Sequence, residues 1–437
     1  PPRSTLFPYT TLFRSVGYMK LVRIFWFYFL FEFFRYIFLE TLALFSWKFK
    51  QRVNRKALQE ARKLMWDESP LVSIIVPGKN EGKHIFKLAQ SLREQTYKNY
   101  ELIIIDDGSD DATPEICKNL ERNGMITLFL RNDVRGGKAS AANLGLRFAK
   151  GKYIIHLDAD CSYDRDAIEN IIIPFYFDQR IGAVGGNVMV RNYKESLCTT
   201  LQAIEYTDTI SVGRIVTSHL GIYRVISGAF GAFRSDVMQR IGGWDIGPGL
   251  DGDITVKIRK LGYKIHFEPL AVCLTSVPNT FRKLIKQRLR WDKSLIRFRL
   301  RKHRDVFLPN QSFKLGNFVS FAENVTYNLV LNIFWYGYLF DMIFNYSSQL
   351  KYIIIMNFFL YTLNNYFKFI LFSPFRERKH APIHYFLIYI PLMVFYFGYL
   401  LRLVRSVAYL SEIFFKASYK DPWNPAKTSR HAKEMGL

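Results

Sequence analysis

Five short apolar runs that alternate with helix-like stretches constrain the fold of this chain most. The runs read "VSIIVP", "ELIIID", "MITLFL", "YIIHLD" and "IGAVGG", in that order. Stretches containing about ten to fifteen helix-like residues lie between consecutive runs, which is the pattern of βαβ units. We therefore predict an α/β domain with a Rossmann-like, mostly parallel sheet over residues 71–278.

Carboxylates stand where two of the predicted strands end. Asp106 and Asp107 close the second run, and Asp158 and Asp160 follow the fourth. In open α/β sheets ligands bind outside the carboxyl ends of the strands, which makes all four residues candidates for a binding site. Residues i and i+2 of an extended chain point to the same side, so Asp158 and Asp160 would converge. Converging carboxylates need a metal or a shared proton between them, unless they form only a solvated turn.

The composition favours a membrane as a partner. The 437 residues include 61 Lys+Arg against 37 Asp+Glu, a formal charge of +24, and 49% of them are hydrophobic. The basic residues flank long aromatic-apolar stretches instead of forming a soluble groove, which argues for a lipid bilayer and against nucleic acid. The cysteines form no C-x-x-C motif, so we expect no zinc or redox site, no disulfide framework and a reducing, cytoplasmic compartment. They are Cys117, Cys161, Cys198 and Cys273.

Four apolar segments outside the α/β domain are candidates for crossing a bilayer, at residues 24–45, 321–344, 352–372 and 383–401. The first contains Glu32, Arg35 and Glu40, so an interfacial helix is an alternative there, and Glu32 and Arg35 could pair at helical spacing. A strongly basic stretch follows it, which predicts a cytoplasmic α/β domain in an integral membrane protein of the plasma or inner membrane. Three C-terminal crossings would place a basic tail outside, so either the last segment is a hairpin or one segment does not span.

Two further stretches are recognisable, one at the start of the chain and one after the α/β domain. The segment "LFPYTTLFRS" resembles the conceptual translation of a sequencing adaptor, so Met19 need not be the natural start. The stretch "NTFRKLIKQRLRWDKSLIRFRLRKHR" predicts a helix in the membrane interface with its apolar side in lipid, the alternative being a solvated charged face. The predicted parts are an artefact at 1–15, an N-terminal transmembrane helix at 16–47, a basic linker at 48–70, the α/β domain at 71–278, basic amphipathic interface helices at 279–310, C-terminal transmembrane segments at 311–416 and a basic tail at 417–437.

Further polar residues lie at the ends of the first three strands. Asn80 and Glu81 stand at the mouth of the first strand, and Asp106 or Asp107 could accept a hydrogen bond from an imide N–H or a ribose hydroxyl. In "RGGKASAANLGL" a glycine turn leads into a helix with Lys138 at its start. The P-loop spacing G-x-x-x-x-G-K-[ST] is absent, but a lysine at a helix N-terminus can still help to hold a diphosphate.

Taken in order over residues 73–291, six motifs resemble those of one enzyme family. They are "PGKNEG", "DDGS", "DAD", "SGAFGAFR", "GLDGDIT" and "QRLRW". This set is similar to processive, membrane-embedded family 2 glycosyltransferases, as in cellulose, chitin, hyaluronan and poly-N-acetylglucosamine synthases. The resemblance covers half of the chain and implies a GT-A fold flanked by transmembrane helices, a UDP-sugar donor, a growing polysaccharide as acceptor and inversion at the anomeric carbon. It leaves room for an accessory subunit.

The resemblance also implies a donor site with a metal. In the family, the D-x-D acids bind Mn²⁺ or Mg²⁺ through hard oxygen ligands while the metal bridges the donor's phosphates. Asp158 and Asp160 are the matching metal ligands here. The residues expected to bind the nucleotide sugar are Asn80, Glu81, Asp106, Asp107, Lys138 and Asp158.

The general base is expected near residue 251. Aligning the helix that follows, "ITVKIRKLGY", with the family gives Asp251 the role of accepting the acceptor hydroxyl's proton. Leu250 departs from the family, which usually has an acid there, and Asp253 is the alternative base if the register differs. A helix N-cap is the alternative role of Asp251. His156, inside the fourth run, is expected to be packed rather than catalytic.

The last two motifs are expected to bind the acceptor and the diphosphate. Trp291 offers a flat face for a sugar, Arg290 can bind phosphate in a fork, and small residues such as Gly228 let a sugar approach the backbone. Trp291 could instead belong to an interfacial aromatic belt. The expected acceptor and diphosphate residues are Ser227, Gly228, Gln287, Arg288, Arg290 and Trp291.

The predicted function is therefore metal-dependent polymerisation of a UDP-sugar into a β-linked polysaccharide, with export across the membrane. The pattern "VSGAFGAFR" followed by "GGW" resembles the chitin and poly-N-acetylglucosamine branch, which favours UDP-N-acetylglucosamine. Two alternatives remain. One is transfer of a single sugar to a lipid acceptor, and the other is an inactive scaffold, which only Leu250 supports.

Overall fold

The computed structural model describes residues 23–246, 249–308, 315–373, 383–421 and 424–435. The predicted artefact at 1–15, the first residues of the predicted N-terminal helix and the basic loop around 374–382 lie outside the described residues.

An eight-stranded sheet organises the α/β domain, with strand order β3-β2-β1-β4-β7-β6-β8-β5. All five predicted runs form strands. The strands are β1 Val72–Gly78, β2 Tyr100–Asp107, β3 Leu128–Asn132, β4 Tyr153–Leu157, β5 Ser162–Tyr163, β6 Ile181–Val190, β7 Phe230–Arg234 and β8 Lys264–Thr275.

The sheet is mixed, which corrects the prediction of a mostly parallel one. The pairs β1–β2, β1–β4, β2–β3 and β6–β8 are parallel. Strand β7 enters the middle of the sheet and runs antiparallel to both β4 and β6, and β5 pairs antiparallel with β8. The second half of the "SGAFGAFR" motif lies in this central strand, for which the sequence predicted no element.

Both faces of the sheet are buried. Along β2, Leu102 and Ile104 pack in the core on one face, and Ile103 and Ile105 pack in the core on the other. Successive side chains of a strand point to opposite faces, so a continuous apolar run fits a sheet that is covered on both sides. Helices provide that cover, as βαβ connections require.

One group of helices lies before and between the strands of the α/β domain, and a second group of helices follows the domain. Those from residue 40 to residue 260 are Glu40–Val53, Arg55–Glu68, Gly82–Arg93, Thr113–Arg122, Lys138–Phe148, Ala167–Phe177, Leu197–Glu205, Gly213–His219, Ser235–Ile241 and Leu250–Lys260. The later ones are Phe281–Ser294, Leu315–Val325, Leu331–Asn345, Leu350–Phe372, Ile383–Leu387, Met393–Phe395, Arg402–Phe415 and Ala426–Glu434. Segments of π-helix occur at Tyr28–Leu39, Tyr206–Val212, Leu295–Lys302, Thr326–Val330 and Tyr396–Leu401. Short 3-10 helices occur at Arg304–Phe307, Ser347–Gln349, Ile390–Leu392 and Ala417–Lys420.

Within the described residues, one continuous helical stretch, Ile390–Phe415, is long and apolar enough to cross a membrane. The other predicted crossings are therefore not confirmed as spans. The first of them carries ion pairs that differ from the predicted one. Arg35 pairs with Glu40 at 3.0 Å and with Glu323 at 2.9 Å, and Glu32 pairs with Arg402.

The predicted interface helix packs on protein with its apolar side. Leu284, Leu295 and Ile296 are buried, and Leu295 and Ile296 pack with Tyr409. Helix Phe281–Ser294 lies against helix Arg402–Phe415. The prediction that these apolar residues face lipid is therefore wrong, because a helix from the end of the chain covers them.

Candidate active site

The carboxyl ends of β1, β2 and β4 meet at one edge of the sheet. Strand β1 pairs in parallel with β2 on one side and β4 on the other, so all three strands end at the same edge. Asn80 and Glu81 follow β1, Asp106 and Asp107 end β2, and Asp158 follows β4. The sheet thus brings the predicted donor residues together, as the sequence indicated.

Asp106 and Asp107 both accept hydrogen bonds from groups of the protein itself. The buried Asp106 accepts hydrogen bonds from the amide and the hydroxyl of Ser109 and lies 3.4 Å from the Arg131 guanidinium. Asp107 accepts the backbone N–H groups of Gly136 and Gly137, each at 2.8 Å. These contacts fix the loop after β2 and the glycine turn that precedes Lys138.

Three carboxylates lie close to one another beside Lys138. Burial, together with the negative charges of Asp160 and Asp158, raises the pKa of Glu81 to about 7. The Lys138 ammonium pairs with Asp158 Oδ1. Burial opposes the charge on Lys138, but the neighbouring carboxylates of Asp158 and Asp251 raise its pKa above the ordinary value. This edge of the sheet is therefore rich in negative charge, and the partly exposed Lys138 ammonium lies beside Asp158.

Asp251 projects into the same region from helix Leu250–Lys260. Its Oδ2 accepts the backbone N–H of Gly228 at 2.9 Å. Desolvation raises the pKa of the Asp251 carboxyl, while Lys138 and the Gly228 amide oppose that rise. Gly249 takes the N-cap position of this helix, so the alternative that Asp251 is the N-cap is wrong.

Asp253, the alternative base, is enclosed by basic side chains. It is 3% exposed, and its Oδ1 lies 2.7 Å from His303 Nε2 and 2.8 Å from Lys302 Nζ. Although burial acts in the opposite direction, the hydrogen bond from His303 and the charge of Lys302 hold the pKa of Asp253 below its usual range. A carboxylate held in this way is a poor proton acceptor, so the geometry favours Asp251 over Asp253.

The Ser227–Gly228 segment supports Asp251. A Cβ atom on Gly228 would lie 2.5 Å from Asp251 Oδ1, so only glycine fits this approach. His156 Nδ1 lies 2.6 Å from the Gly228 carbonyl oxygen, and its ring packs beside Trp244. Burial and the charge of Lys138 lower the pKa of His156 to about 4, so the ring is neutral near pH 7. His156 is packed, as the sequence indicated.

The "QRLRW" residues lie on helix Phe281–Ser294. Trp291 is 37% exposed, and the Arg288 guanidinium stacks on its ring at 4.5 Å from the centroid. The buried Arg288 pairs with Glu205 at 2.9 Å. Arg288 thus supports the Trp291 ring, and its contact with acceptor or diphosphate stays a prediction. Gln287 and Arg290 are both partly buried on the same helix.

Two contacts near the site were not predicted. The carboxylate of Glu205 also accepts the hydroxyl of Tyr396 at 2.6 Å, which joins the α/β domain to the long apolar helix. Thr428 donates a hydrogen bond to the Gly136 carbonyl at 3.1 Å, so the C-terminal helix Ala426–Glu434 docks on the glycine turn. No local pattern in the sequence signals either contact, because the partners are far apart along the chain.

Comparison with known proteins finds a family that the part of the chain with the predicted donor residues resembles. Residues 73–241 match the profile of "Glycosyl transferase family 2". They form a family 2 glycosyltransferase domain. The predicted resemblance to this family is thereby confirmed.

Two curated relatives of this chain are poly-beta-1,6-N-acetyl-D-glucosamine synthases. That of Staphylococcus aureus (strain COL) is 34% identical over 242 residues, which cover 55% of this chain and 58% of the synthase. That of Staphylococcus epidermidis (strain ATCC 35984) is 36% identical over 222 residues, which cover 50% of this chain and 53% of the synthase. The chain thus matches little more than half the length of these relatives.

A solved structure shares the glycosyltransferase fold over most of the chain. It is the mannosyltransferase PcManGT from Pyrobaculum calidifontis in complex with GDP-Man and Mn²⁺, with a TM-score of 0.55 and 19% sequence identity. The match covers 86% of this chain and 99% of that protein. At this level of identity the likeness shows the fold alone.

Proposed function

We propose that this glycosyltransferase is a membrane-embedded, inverting polymerase that transfers N-acetylglucosamine from UDP-N-acetylglucosamine to a growing β-linked polysaccharide. One observation carries the proposal. Asp251 accepts the Gly228 amide and interacts electrostatically with Lys138 and Asp158, which supports a proton acceptor next to the proposed diphosphate residues. The names of the staphylococcal relatives support the choice of sugar.

The reaction follows from these positions. The acceptor hydroxyl attacks the anomeric carbon of the donor from the face opposite the diphosphate, and the configuration inverts. The bond from that carbon to the diphosphate oxygen breaks, and its electron pair leaves with UDP. The hydroxyl proton passes to the Asp251 carboxylate, which acts as general base. The raised pKa of Asp251 makes it a better proton acceptor than an ordinary aspartate.

Asp158 and Asp160 fit a divalent cation, Mn²⁺ or Mg²⁺. The negative charges that raise the pKa of Glu81 come from these two carboxylates, so hard oxygen ligands are concentrated here. No group of three or more potential ligands suited to hold a metal occurs among the described residues, so the donor's phosphates and water would complete the coordination. Such a cation neutralises the charge that the leaving diphosphate develops. Asn80, Glu81 and Lys138 would contact the nucleotide sugar from the same edge.

Trp291 is proposed as the platform for the acceptor. Its ring is partly exposed, and Arg288 and Glu205 hold it from below. Aromatic faces bind the apolar face of a sugar ring, and the rigid support lets the terminal hydroxyl be aimed at the donor. Ser227, Gly228, Gln287 and Arg290 would complete the acceptor and diphosphate contacts.

Insertion in a bilayer and export of the product are proposed from two further features. Large apolar side chains stand exposed on the later helices, among them Phe344, Leu363 and Phe414. An apolar surface of this extent is typical of membrane contact. A cavity of about 980 Å³ lies between the glycosyltransferase domain and these helices, and its lining includes both aromatic and charged side chains, such as Trp335 and Arg214. A pocket of this kind suits an oligosaccharide.

The test is to size the product. The full chain in detergent with Mn²⁺ receives UDP-N-acetylglucosamine, UDP-glucose or UDP-glucuronate, singly and in pairs, and UDP release is followed beside the product's mass. We expect long chains from UDP-N-acetylglucosamine alone. A single added residue would replace polymerisation by single transfer, release only from a donor pair would indicate an alternating polymer, and binding of UDP without turnover would indicate an inactive scaffold.

A further inference from the structure

We propose that His156 is a positioning residue for catalysis, because its hydrogen bond to the Gly228 carbonyl fixes the backbone of the residue whose N–H holds the Asp251 carboxylate. The inference rests on the proposed function, in which Asp251 is the general base. It goes further by assigning a task to a buried residue that touches neither the donor nor the acceptor in that proposal.

The contact between His156 and Gly228 has a defined direction. His156 lies in the middle of β4 and is 3% exposed. Its Nδ1 lies 2.6 Å from the carbonyl oxygen of Gly228. A carbonyl oxygen only accepts, so Nδ1 carries the proton and donates it. The ring is therefore held in one tautomer by this bond.

Gly228 is held on both sides of its Cα atom. Its carbonyl oxygen accepts a hydrogen bond from His156 Nδ1, and its N–H donates one to Asp251 Oδ2 at 2.9 Å. The next carbonyl, that of Ala229, accepts the Tyr163 hydroxyl at 2.9 Å and the Asp158 N–H at 3.4 Å. Residues 228–229 thus form a short link between the strand that ends in the D-x-D acids and the helix that carries Asp251.

The link has little freedom to move. A Cβ atom at position 228 would lie 2.5 Å from Asp251 Oδ1 and 3.0 Å from its Cγ, so the carboxylate is in close contact with the glycine backbone. The two peptide units on either side of Gly228 meet at its Cα atom, so a shift of the carbonyl that His156 holds would move the N–H that orients Asp251. General bases act within a narrow range of distances, so such a shift reduces turnover more than donor binding.

A purely packing role for His156 gives a different expectation. The His156 ring packs beside the Trp244 ring, with 5.4 Å between their centroids, so packing alone would accept an apolar side chain at position 156. The positioning role requires a hydrogen-bond donor at the place of Nδ1. The side-chain amide of asparagine reaches that place, and the longer glutamine amide matches Nε2 instead.

The experiment compares His156→Leu, His156→Asn and His156→Gln in the full chain. UDP release gives kcat and the KM for UDP-N-acetylglucosamine, and a UDP titration reports the donor site separately. We expect His156→Leu to lower kcat by about tenfold, the scale of one lost hydrogen bond, with KM and UDP affinity within about twofold of wild type. His156→Asn should restore most of the loss, and His156→Gln should not.

Each result bears on the inference. Full kcat in His156→Leu would overturn it, and so would equal losses in the Asn and Gln variants. If His156→Leu does not fold, the Asn and Gln pair decides alone. Absence of turnover by the wild-type chain with every donor would instead overturn the proposed function, which keeps the two failures distinct.

Discussion

Arg288 donates a hydrogen bond to Glu205 at 2.9 Å and at the same time stacks on the ring of Trp291. Tyr396 donates to the same Glu205 oxygen at 2.6 Å. The carboxylate therefore ties three elements together: the end of a helix in the glycosyltransferase domain, the helix that carries Trp291 and the long apolar helix. The position of the proposed acceptor platform depends on this buried contact.

Arg288→Lys should weaken the acceptor platform while it preserves the charge. Lysine lacks the planar fork that can pair with Glu205 and stack on Trp291 together. We expect kcat to fall roughly tenfold, the scale of a lost hydrogen bond to a charged group, and the product chains to shorten, with the donor KM unchanged. UDP release and product sizing measure both effects. The control is Arg282→Lys on the exposed side of the same helix, which should behave as wild type. Equal losses in the two variants would contradict this account.

Gly228→Ala should displace the general base. Its Cβ atom would lie 2.5 Å from Asp251 Oδ1, closer than real contacts allow, so Asp251 must move. A displacement of about 1 Å can cost about a hundredfold in turnover, and we expect a loss of that order in kcat. Gly252→Ala is the matched control, because its Cβ would meet only Phe298 at 3.9 Å and alanine favours the helix. A Gly228→Ala enzyme with wild-type kcat would show that Asp251 does not work from this position.

Replacing a proposed metal ligand should change how UDP release depends on the Mn²⁺ concentration. Asp160→Asn removes a negative charge near Glu81, and we expect a higher Mn²⁺ concentration for half-maximal UDP release and no release after chelation with EDTA. Asp164→Asn, four residues further along the chain, is the comparison variant. The account fails here if wild-type turnover survives EDTA, or if the Mn²⁺ requirement of Asp160→Asn equals that of the wild type.

The pH profile should identify the base. Desolvation raises the pKa of Asp251 above its ordinary value of 3.8, and a general base must be unprotonated, so activity is lost as the pH falls through that raised pKa. The acidic limb of kcat/KM should therefore lie above the pH expected for an ordinary aspartate. Lys138 opposes the shift, so Lys138→Met should move the limb to still higher pH. A limb below the ordinary value would instead point to Asp253, whose pKa is held low by His303 and Lys302.

The local pattern predicted much of the glycosyltransferase domain. Apolar runs of strand length between helix-like stretches gave the strands whose carboxyl ends gather Glu81, Asp107 and Asp158. Strand β7 was missed, because Gly231 and Ala232 give it little β propensity and a glycine-rich motif resembles a loop. Its position between β4 and β6 depends on distant pairing, which no local window contains.

Contacts between segments far apart in the sequence were the other feature that the sequence did not predict. The predicted Glu32–Arg35 pair obeyed helical spacing, but Arg35 binds Glu323 and Glu32 binds Arg402 in the folded chain. The prediction that the apolar side of the "QRLRW" helix faces lipid failed for the same cause, a contact between distant segments. Leu295 and Ile296, which follow this helix, pack against Tyr409 from the end of the chain. The spacing of apolar residues indicates that a helix has an apolar face, but only the tertiary structure shows whether lipid or protein covers that face.

The central claim is that Asp251 accepts the proton of the acceptor hydroxyl, and UDP release by Asp251→Asn beside Asp253→Asn tests it most directly. With UDP-N-acetylglucosamine and Mn²⁺, Asp251→Asn should bind UDP as wild type does but lose turnover by about a hundredfold to ten-thousandfold, the contribution of a general base. Asp253→Asn should keep its turnover where it is folded but unfold at a lower temperature, because the buried His303 loses its carboxylate partner and Lys302 keeps Asp245 but loses Asp253. Wild-type turnover in Asp251→Asn, or loss of turnover in a folded Asp253→Asn alone, would contradict the account.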